Sequence, residues 1–202
     1  LQSLRYLLAF SLRQPLLHWR WEEHLWRESF VLAVVDGRIV GALYAERDVG
    51  PVAWVRLATL ANDVRVRPWL DASLPPVRGS MRRAGARTLA WMDVGGWAGE
   101  PLEERGFRRT NRLVNLVKSE RAVPPLEVPG VRVRRARAAD IPTVARIDRA
   151  AFTPPWWMGR EKLEQARVDA SCFLVAERDG RCVGYAEGRL FDRGGHIGRL
   201  AV

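Results

Sequence analysis

The stretch FVLAVVDGRIVG, residues 30–41, recurs as FLVAERDGRCVG, residues 173–184. The two stretches lie 143 positions apart (173 − 30 = 143) and share seven identical residues in twelve positions. In each, apolar residues flank an Asp-Gly pair, the pattern of two strands joined by a two-residue turn. The same offset lays WVRLAT, residues 54–59, over IGRLAV, residues 197–202, without a gap. We therefore predict two copies of one domain.

Each copy is predicted to contain a helical stretch, the hairpin and a third strand. In copy one the helix is predicted over residues 15–29, and its tryptophans Trp19, Trp21 and Trp26 are expected to pack on a sheet. In copy two the third strand, residues 197–202, is predicted to be buried. Subtracting 143 places residue 1 level with Val144. Copy one is therefore expected to start inside its first helix and to lack the first strand.

Copy one continues past its third strand. Pro75 and Pro76 are predicted to open a helix that closes near Gly85. A strand over residues 88–94, a short helix over 101–109 stopped by Gly106, and a strand over 111–119 are predicted to follow. A stiff linker with three prolines comes next, and copy two opens with a strand over 131–137 and a helix over 138–152.

The formal charge of +10 is spread along the chain. Residues 131–202 carry 14 basic and 9 acidic side chains, a balance of +5, which leaves +5 for the rest. The basic residues 77–87 could contact nucleic acid, but a solvated helix face is the favoured interpretation, so we rank a nucleic-acid partner last. A nucleic-acid binder would be retained on heparin with a steep salt dependence. No apolar run is long enough to span a bilayer, and we expect no membrane association.

The two cysteines, Cys172 and Cys182, lie in the predicted hairpin of copy two. With Asp-Gly as a two-residue turn, Cys172 is predicted to face Glu187 and Cys182 to face Glu177. The cysteines are then not opposite each other, and their spacing does not match a zinc site. We expect no disulfide and a reducing, cytoplasmic setting.

The order of elements resembles the GNAT superfamily of N-acetyltransferases. The resemblance rests on VRRARAADIPTVARIDRAAF, DGRCVGYAEGRL and HIGRLAV in copy two and on PLEERGFRR in copy one. Two copies in tandem resemble the arrangement of mycothiol synthases. The resemblance implies an α/β (α+β) fold of two tandem GNAT-like domains, each a mixed, mostly antiparallel sheet flanked by helices. Residues 1–118 would form a degenerate first domain, 119–130 a linker, and 131–202 the N-terminal half of a second domain.

The resemblance also implies a reaction, the transfer of an acetyl group from acetyl-CoA to an amine. In such enzymes the fourth strand splays from its neighbour and its backbone binds the pantetheine arm, which here implicates Leu200, Ala201 and Val202. A glycine-rich loop that opens a helix then holds the pyrophosphate. Copy one has no Gly-x-Gly between residue 68 and Gly85, where the loop is expected. Pro75 and Pro76 are expected to remove two of the N–H groups that would bind the phosphate, so copy one would be a pseudo-domain. In copy two the loop is expected after Val202.

The candidate site residues all belong to copy two. Glu187, on the second hairpin strand, is the best-placed acid to act as a base. AFTPPWW, residues 150–157, resembles the acceptor loop of ribosomal-protein N-terminal acetyltransferases, which implicates Phe152, Trp156 and Trp157; packing beneath the next helix is an equal alternative for the two tryptophans. His196 is a weaker candidate base. His18 and His24 lie on different faces of a helix, and we expect no metal site.

A different class of function is a non-catalytic GNAT-like binding or interaction module. A Gly-x-Gly loop after residue 202 would favour the enzyme. The acceptor stays open between a small amine, an antibiotic, a thiol-conjugate precursor and a protein N-terminus. The oligomeric state also stays open.

Calorimetry tests the expected position of the phosphate loop. Because the loop is expected beyond Val202, the 202-residue chain should show no saturable binding of acetyl-CoA and no activity of its own. A titration that saturates with micromolar affinity would contradict this expectation.

Overall fold

A computed structural model describes residues 2–11, 21–47, 50–114, 116–120, 122, 128–192 and 194–202. The chain divides into two compact units, Leu1–Asn115 and Leu116–Val202, called unit 1 and unit 2 below. Among the described helices, none combines the length and the apolar character that crossing a membrane requires.

Unit 1 is a four-stranded sheet with helices on both faces. Strands β1 to β3 are antiparallel, and β4 is parallel to β3. The elements are α1 (Gln2–Phe10), β1 (Phe30–Val35), β2 (Arg38–Arg47), β3 (Val52–Leu60), α2 (Val66–Arg83), β4 (Thr88–Ala90) and α3 (Gly99–Glu103).

Unit 2 contains an antiparallel sheet in the order β5-β6-β7-β8, with two helices on one face. A short 3-10 turn, Ala138–Asp140, leads into the first of these helices. The elements are β5 (Val131–Arg135), α4 (Ile141–Ala151), α5 (Arg160–Asp169), β6 (Cys172–Arg178), β7 (Arg181–Phe191) and β8 (Gly194–Ala201).

The two predicted hairpins are confirmed, and they match in detail. Asp36 and Gly37 have φ of 49° and 75°, and Asp179 and Gly180 have φ of 51° and 70°. Positive φ at both central residues suits the right-handed twist of the flanking strands, and glycine adopts it without strain. Each hairpin also has a bulge at the same place, with Val40 of β2 as the extra residue in unit 1 and Val183 of β7 in unit 2.

The third strands correspond differently from the sequence match. Tyr44 pairs with Leu57 in unit 1, and Glu187, its counterpart, pairs with Arg199 in unit 2. The pairing therefore relates the third strands by 199 − 57 = 142 positions, and the gapless offset of 143 is wrong there. A shift of one residue turns each side chain to the opposite face of the sheet, so Arg56 and Arg199 are not equivalent.

The predicted pairing of the cysteines is half right. Cys182 faces Glu177 as expected, but Cys172 faces Gly188 and not Glu187. The bulge inserts Val183 into β7 and shifts the register beyond it by one residue. Both cysteines are free thiols.

Helix α2 begins at Val66, nine residues before the predicted start at Pro75. Pro75 and Pro76 lie exposed in its interior. The helix forms in spite of them because its buried side chains recur on one face and pack on the sheet, and tertiary packing outweighs local propensity. These buried residues are Trp69, Leu70, Leu74, Val77 and Met81.

The predicted helix over residues 15–29 is wrong in the part that the structure describes. Trp21–His24 is a 3-10 turn, residues 25–29 are turns and bends that redirect the chain into β1, and residues 12–20, with Trp19, lie outside the described residues. Trp21 is buried as expected, whereas Trp26 is exposed.

Three strand predictions also need correction. Strand β4 ends at Ala90 and not at residue 94, because its pairing with β3 stops there and residues 91–93 form no strand. The described residues of 111–119 form no strand, and their apolar side chains are exposed. These side chains are Leu113, Val114, Leu116 and Val117. Strand β8 is mostly exposed and not buried, since only one of its faces meets helices in the described part of unit 2.

Replacing Pro76 by Ala tests the position of α2. An interior proline costs about 3 kcal/mol relative to alanine, and the greater flexibility of the unfolded variant offsets up to about 1 kcal/mol of this, so the variant should be more stable by about 2 to 3 kcal/mol. Urea unfolding measures the change. Pro68→Ala is the matched control, because Pro68 lies in the first turn, where the N–H has no intrahelical partner, and the expected change is within about 0.5 kcal/mol. A neutral or destabilising Pro76→Ala would mean that the helix starts at the prolines.

Candidate functional site

The candidate base Glu187 lies beside a bulge between β7 and β8. Glu187 pairs with Arg199 and Gly188 with Ile197, which leaves Gly198 as the extra residue. A side chain at position 198 would collide with Oε2 of Glu187, so the glycine makes room for the carboxylate. The side chain of Glu187 is 15% exposed, and its Oε1 lies 3.5 Å from Nε of Arg189. The carboxylate is therefore half-buried yet reachable.

A second carboxylate, Asp148 of α4, is fully buried, with 0% of its side chain exposed. Its Oδ1 accepts a hydrogen bond from the backbone N–H of Met158 at 2.6 Å. Its Oδ2 accepts from the hydroxyl of Tyr185 and from Nε of Arg199, each at 2.5 Å. Asp148 thus joins α4 to the loop before α5, to β7 and to β8.

Arg199 continues this network into the predicted acceptor loop. Its side chain is 13% exposed, and its Nη2 donates to the backbone carbonyl of Trp156 at 2.5 Å. Its guanidinium lies 3.8 Å from the ring centroid of Phe152, a cation–π contact. Arg199 thus contacts two of the predicted site residues, Phe152 and Trp156, and lies opposite a third, Glu187, in the pairing of β7 with β8.

Tyr185 is fixed between β6 and the network. Its ring stacks on Phe173 with 5.6 Å between centroids. Burial, and then the hydrogen bond to Asp148, raise the pKa of the Tyr185 hydroxyl well above its usual value. The hydroxyl therefore stays protonated and donates to Asp148.

Trp157 lies apart from this group. The guanidinium of Arg149 stacks over its ring at 4.8 Å from the centroid. Its buried indole N–H has no hydrogen-bond partner within the described part of the chain. The structure thus gathers Phe152 and Trp156 around Arg199 and places Trp157 against α4.

Two of the predicted pantetheine residues, Leu200 and Ala201, end the edge strand β8, and the third, Val202, follows it directly. The side chain of Ala201 is buried, but those of Leu200 and Val202 are exposed, so the predicted burial of residues 197–202 is wrong for these two. In the described sheet, β8 has a strand neighbour on one side, β7. Its other edge carries backbone groups that could pair with an extended ligand.

In unit 1 the position that corresponds to Glu187 is a buried aromatic residue. Tyr44 stands where unit 2 has Glu187, and its ring stacks between His24 and Phe30 at centroid distances of 5.0 and 5.4 Å. Burial, with a smaller contribution from the charge of Glu46, raises the pKa of Tyr44 to about 12. The buried hydroxyl has no hydrogen-bond partner among the described residues. Tyr44 is thus a core residue, whereas Glu187 is not.

In unit 1 the strands β3 and β4 separate. They pair over three residues, from Val52 with Thr88 to Trp54 with Ala90, and β3 then runs on to Leu60. Trp91 follows β4 directly and therefore lies at this point of separation. Its ring centroid is 6.3 to 6.4 Å from those of three other aromatic side chains, Trp69, Trp97 and Phe107. All four belong to or pack against the core cluster of unit 1.

Solved structures share this architecture. A GCN5-related N-acetyltransferase from Sphaerobacter thermophilus matches with a TM-score of 0.64 and 18% identity, over 90% of this chain and 63% of its own. A tandem GNAT protein from the clavulanic acid biosynthesis pathway matches with a TM-score of 0.53 and 14% identity, over 86% of this chain and 64% of its own. The chain has a tandem GNAT fold. No family model and no curated protein matches the chain.

The predicted fold class, α/β (α+β) with two tandem GNAT-like domains, is therefore confirmed. At these identities the likeness concerns the fold alone. The chain spans less than two thirds of the length of both structures.

Three polar residues of this site, namely Asp148, Tyr185 and Arg199, are not among the site residues predicted from the sequence. A signal for Asp148 exists in the sequence. It lies four residues after Val144 and seven after Ile141, on the helix face that packs on the sheet, and a carboxylate at such a position needs buried partners. The donors themselves come from distant strands, which the sequence does not place.

The histidines do not form a metal site in the described residues. His196 is exposed on β8, His24 stacks on Tyr44, and His18 lies outside the described residues. No group of three or more potential metal ligands was found among the side chains that the structure describes.

A second ionic network lies at the opposite end of α4. Nη1 of Arg134 donates to Oδ2 of Asp140 at 2.7 Å, and its Nη2 donates to Oε1 of Glu177 at 2.6 Å. The hydrogen bonds from Arg134 are the main cause that lowers the pKa of Asp140 to about 2, and the backbone N–H of Arg137 adds to it. This network ties β5 and β6 to the start of α4.

Acid should weaken unit 2 through Asp140. Because the folded pKa, about 2, lies below the ordinary value of 3.8, the network stabilises unit 2 above about pH 4, and this contribution is lost as the pH falls from 4 to 2. Hydrogen exchange of peptides from β5 and β6 measures the loss. Asp140→Asn should exchange faster at pH 7 and show a smaller further change on acidification. An equal acid dependence in the variant and the wild type would contradict this role.

Proposed function

We propose that the protein transfers an acetyl group from acetyl-CoA to an amine and that unit 2 carries the reaction. The observation that carries the proposal is the position of Glu187, a half-buried carboxylate opposite the bulge of the edge strand, whose strand partner Arg199 contacts the aromatic acceptor loop. The tandem GNAT fold supports the reaction class.

The open edge of β8 fits the pantetheine arm of acetyl-CoA. Leu200, Ala201 and Val202 would bind it with their backbone groups, as a strand binds its neighbour. Acetyl-CoA supplies the thioester whose carbonyl carbon the amine attacks. The carbon–nitrogen bond forms as the carbon–sulfur bond breaks. The sulfur leaves as a thiolate and takes up the second proton that the nitrogen loses as the amide forms.

Glu187 would act as the general base. An amine is mostly protonated at neutral pH and attacks only after losing a proton, which Glu187 would accept directly or through one water. Phe152 and Trp156 would form an apolar wall beside the amine. The proposal therefore favours an acceptor with an apolar part next to its amino group, in a small molecule or at a protein N-terminus.

Unit 1 would support unit 2 without catalysing the reaction. Contrary to the expectation from the sequence, Pro75 and Pro76 do not remove N–H groups from the start of α2, because they lie in its interior. Two other observations support the proposal. The base position holds the buried Tyr44, and four aromatic side chains pack close to the point where β3 and β4 separate. In addition, Pro68 removes an N–H group from the first turn of α2.

The test is an assay of thiol release from acetyl-CoA by the full-length gene product that carries residues 1–202. The acceptors are a panel of aminoglycosides, amino-acid amides and peptides with free N-termini. Glu187→Gln, which keeps the shape but not the basicity, should lower kcat/KM by about 100-fold or more, as loss of a general base does. Asp169→Asn, an exposed carboxylate at the end of α5, is the control and should change kcat/KM less than about twofold.

Two results would count against the proposal. If the wild type releases no thiol with any acceptor, the alternative of a binding module gains support. If Glu187→Gln is as active as the wild type, Glu187 is not the base.

A further inference from the structure

The buried charge in unit 2 is not needed by the fold as such. At the strand positions of Tyr185 and Arg199, unit 1 has Ala42 and Leu57, which pack in an apolar cluster with α1. Replacing a buried ion pair by well-packed apolar side chains is often neutral or stabilising. Stability therefore does not explain why unit 2 places a charge pair there.

The bonds of the pair converge on one loop. Asp148 accepts from the backbone of Met158, and Arg199 donates to the backbone of Trp156 and packs over Phe152. Residues 153–159, which connect α4 to α5, form no helix or strand. Within the described residues, these bonds link the loop to α4 through Asp148 and to β8 through Arg199.

The strand end of the pair is fixed by the bulge. Gly198 is the extra residue of β8, so Arg199 turns toward the helices and pairs across the strands with Glu187. Arg199 thus contacts the acceptor loop through its guanidinium and lies opposite the candidate base in the pairing of β7 with β8.

We propose that Asp148 and Arg199 are positioning residues, whose buried ion pair holds Phe152 and Trp156 beside Glu187. This proposal rests on the proposed function for its consequence in catalysis, but the effect on the loop is independent of it. The residues do not touch the reacting atoms. They determine where the acceptor lies.

Two substitutions separate the parts of the pair. In Asp148→Asn, Oδ1 can still accept from Met158, but an amide NH₂ replaces the Oδ2 that accepts from Tyr185 and Arg199. In Arg199→Lys the charge remains for Asp148, but one ammonium cannot also reach the carbonyl of Trp156 and stack over Phe152. Asp140→Asn is the matched control, since it breaks a carboxylate–arginine pair of the same unit at the other end of α4.

The first measurement is hydrogen exchange of the full-length gene product, read on the peptide that covers residues 153–159. Asp148→Asn and Arg199→Lys should each speed exchange there by about tenfold or more, while β6 and β7 exchange as in the wild type. Asp140→Asn should leave the loop unchanged. Unchanged loop exchange in Arg199→Lys would overturn the proposal, and so would a general increase across unit 2. If Asp148→Asn fails to fold, Arg199→Lys decides alone.

The second measurement is steady-state kinetics with the best acceptor of the panel. Arg199→Lys should raise the KM of the acceptor by about tenfold and leave the KM of acetyl-CoA within about twofold, because the loop and not the edge of β8 has moved. A faster-exchanging loop with an unchanged acceptor KM would overturn the positioning role while the proposed function stands. If the wild type shows no transfer, the proposed function fails, and loop exchange still decides whether the pair holds the loop.

Discussion

One extra residue in the third strand of each unit determines which side chains reach the helices. Opposite Tyr44 in unit 1 the extra residue is Arg56, and opposite Glu187 in unit 2 it is Gly198. Because a bulge reverses the faces beyond it, Arg199 is turned onto the helical side of the sheet. The contacts of Asp148, the place of the acceptor loop and the space for Glu187 all depend on this single insertion.

The two units show how one backbone supports two kinds of interior. In unit 1 the helical face of the sheet next to α1 is filled by apolar and aromatic side chains around Tyr44. In unit 2 the corresponding region contains a carboxylate, a hydroxyl and a guanidinium that satisfy one another. A fully paired buried network of this kind fixes one arrangement more strictly than an apolar core does. The difference agrees with a division of labour in which unit 2 holds a site and unit 1 does not.

The hairpins, the tandem arrangement and the fold class could be predicted from the sequence because they rest on local signals. Asp-Gly specifies its turn wherever it occurs between strands, and the repeat supplies the copy number. The register of the third strand could not be predicted. The shared tripeptide Arg-Leu-Ala favours an offset of 143 positions, whereas the observed strand pairing relates the two third strands by 142 positions. The start of α2 was predicted wrongly at Pro75 for a similar reason. The packing of the helix on the sheet outweighs the local cost of its interior prolines. Asp148 was overlooked because a buried carboxylate becomes meaningful only once its partners, which are distant in sequence, are known.

The exposed apolar residues between α3 and β5 have a practical consequence. Leu116 and Val117 are 92% and 90% exposed, and Leu113 and Val114 are exposed as well. Exposed segments rich in leucine and valine can pair as β-strands with the same segment of another molecule. Purified at high concentration, the chain should therefore tend to self-associate through this run, and a charged residue at position 116 or 117 would be the simplest way to keep it in solution.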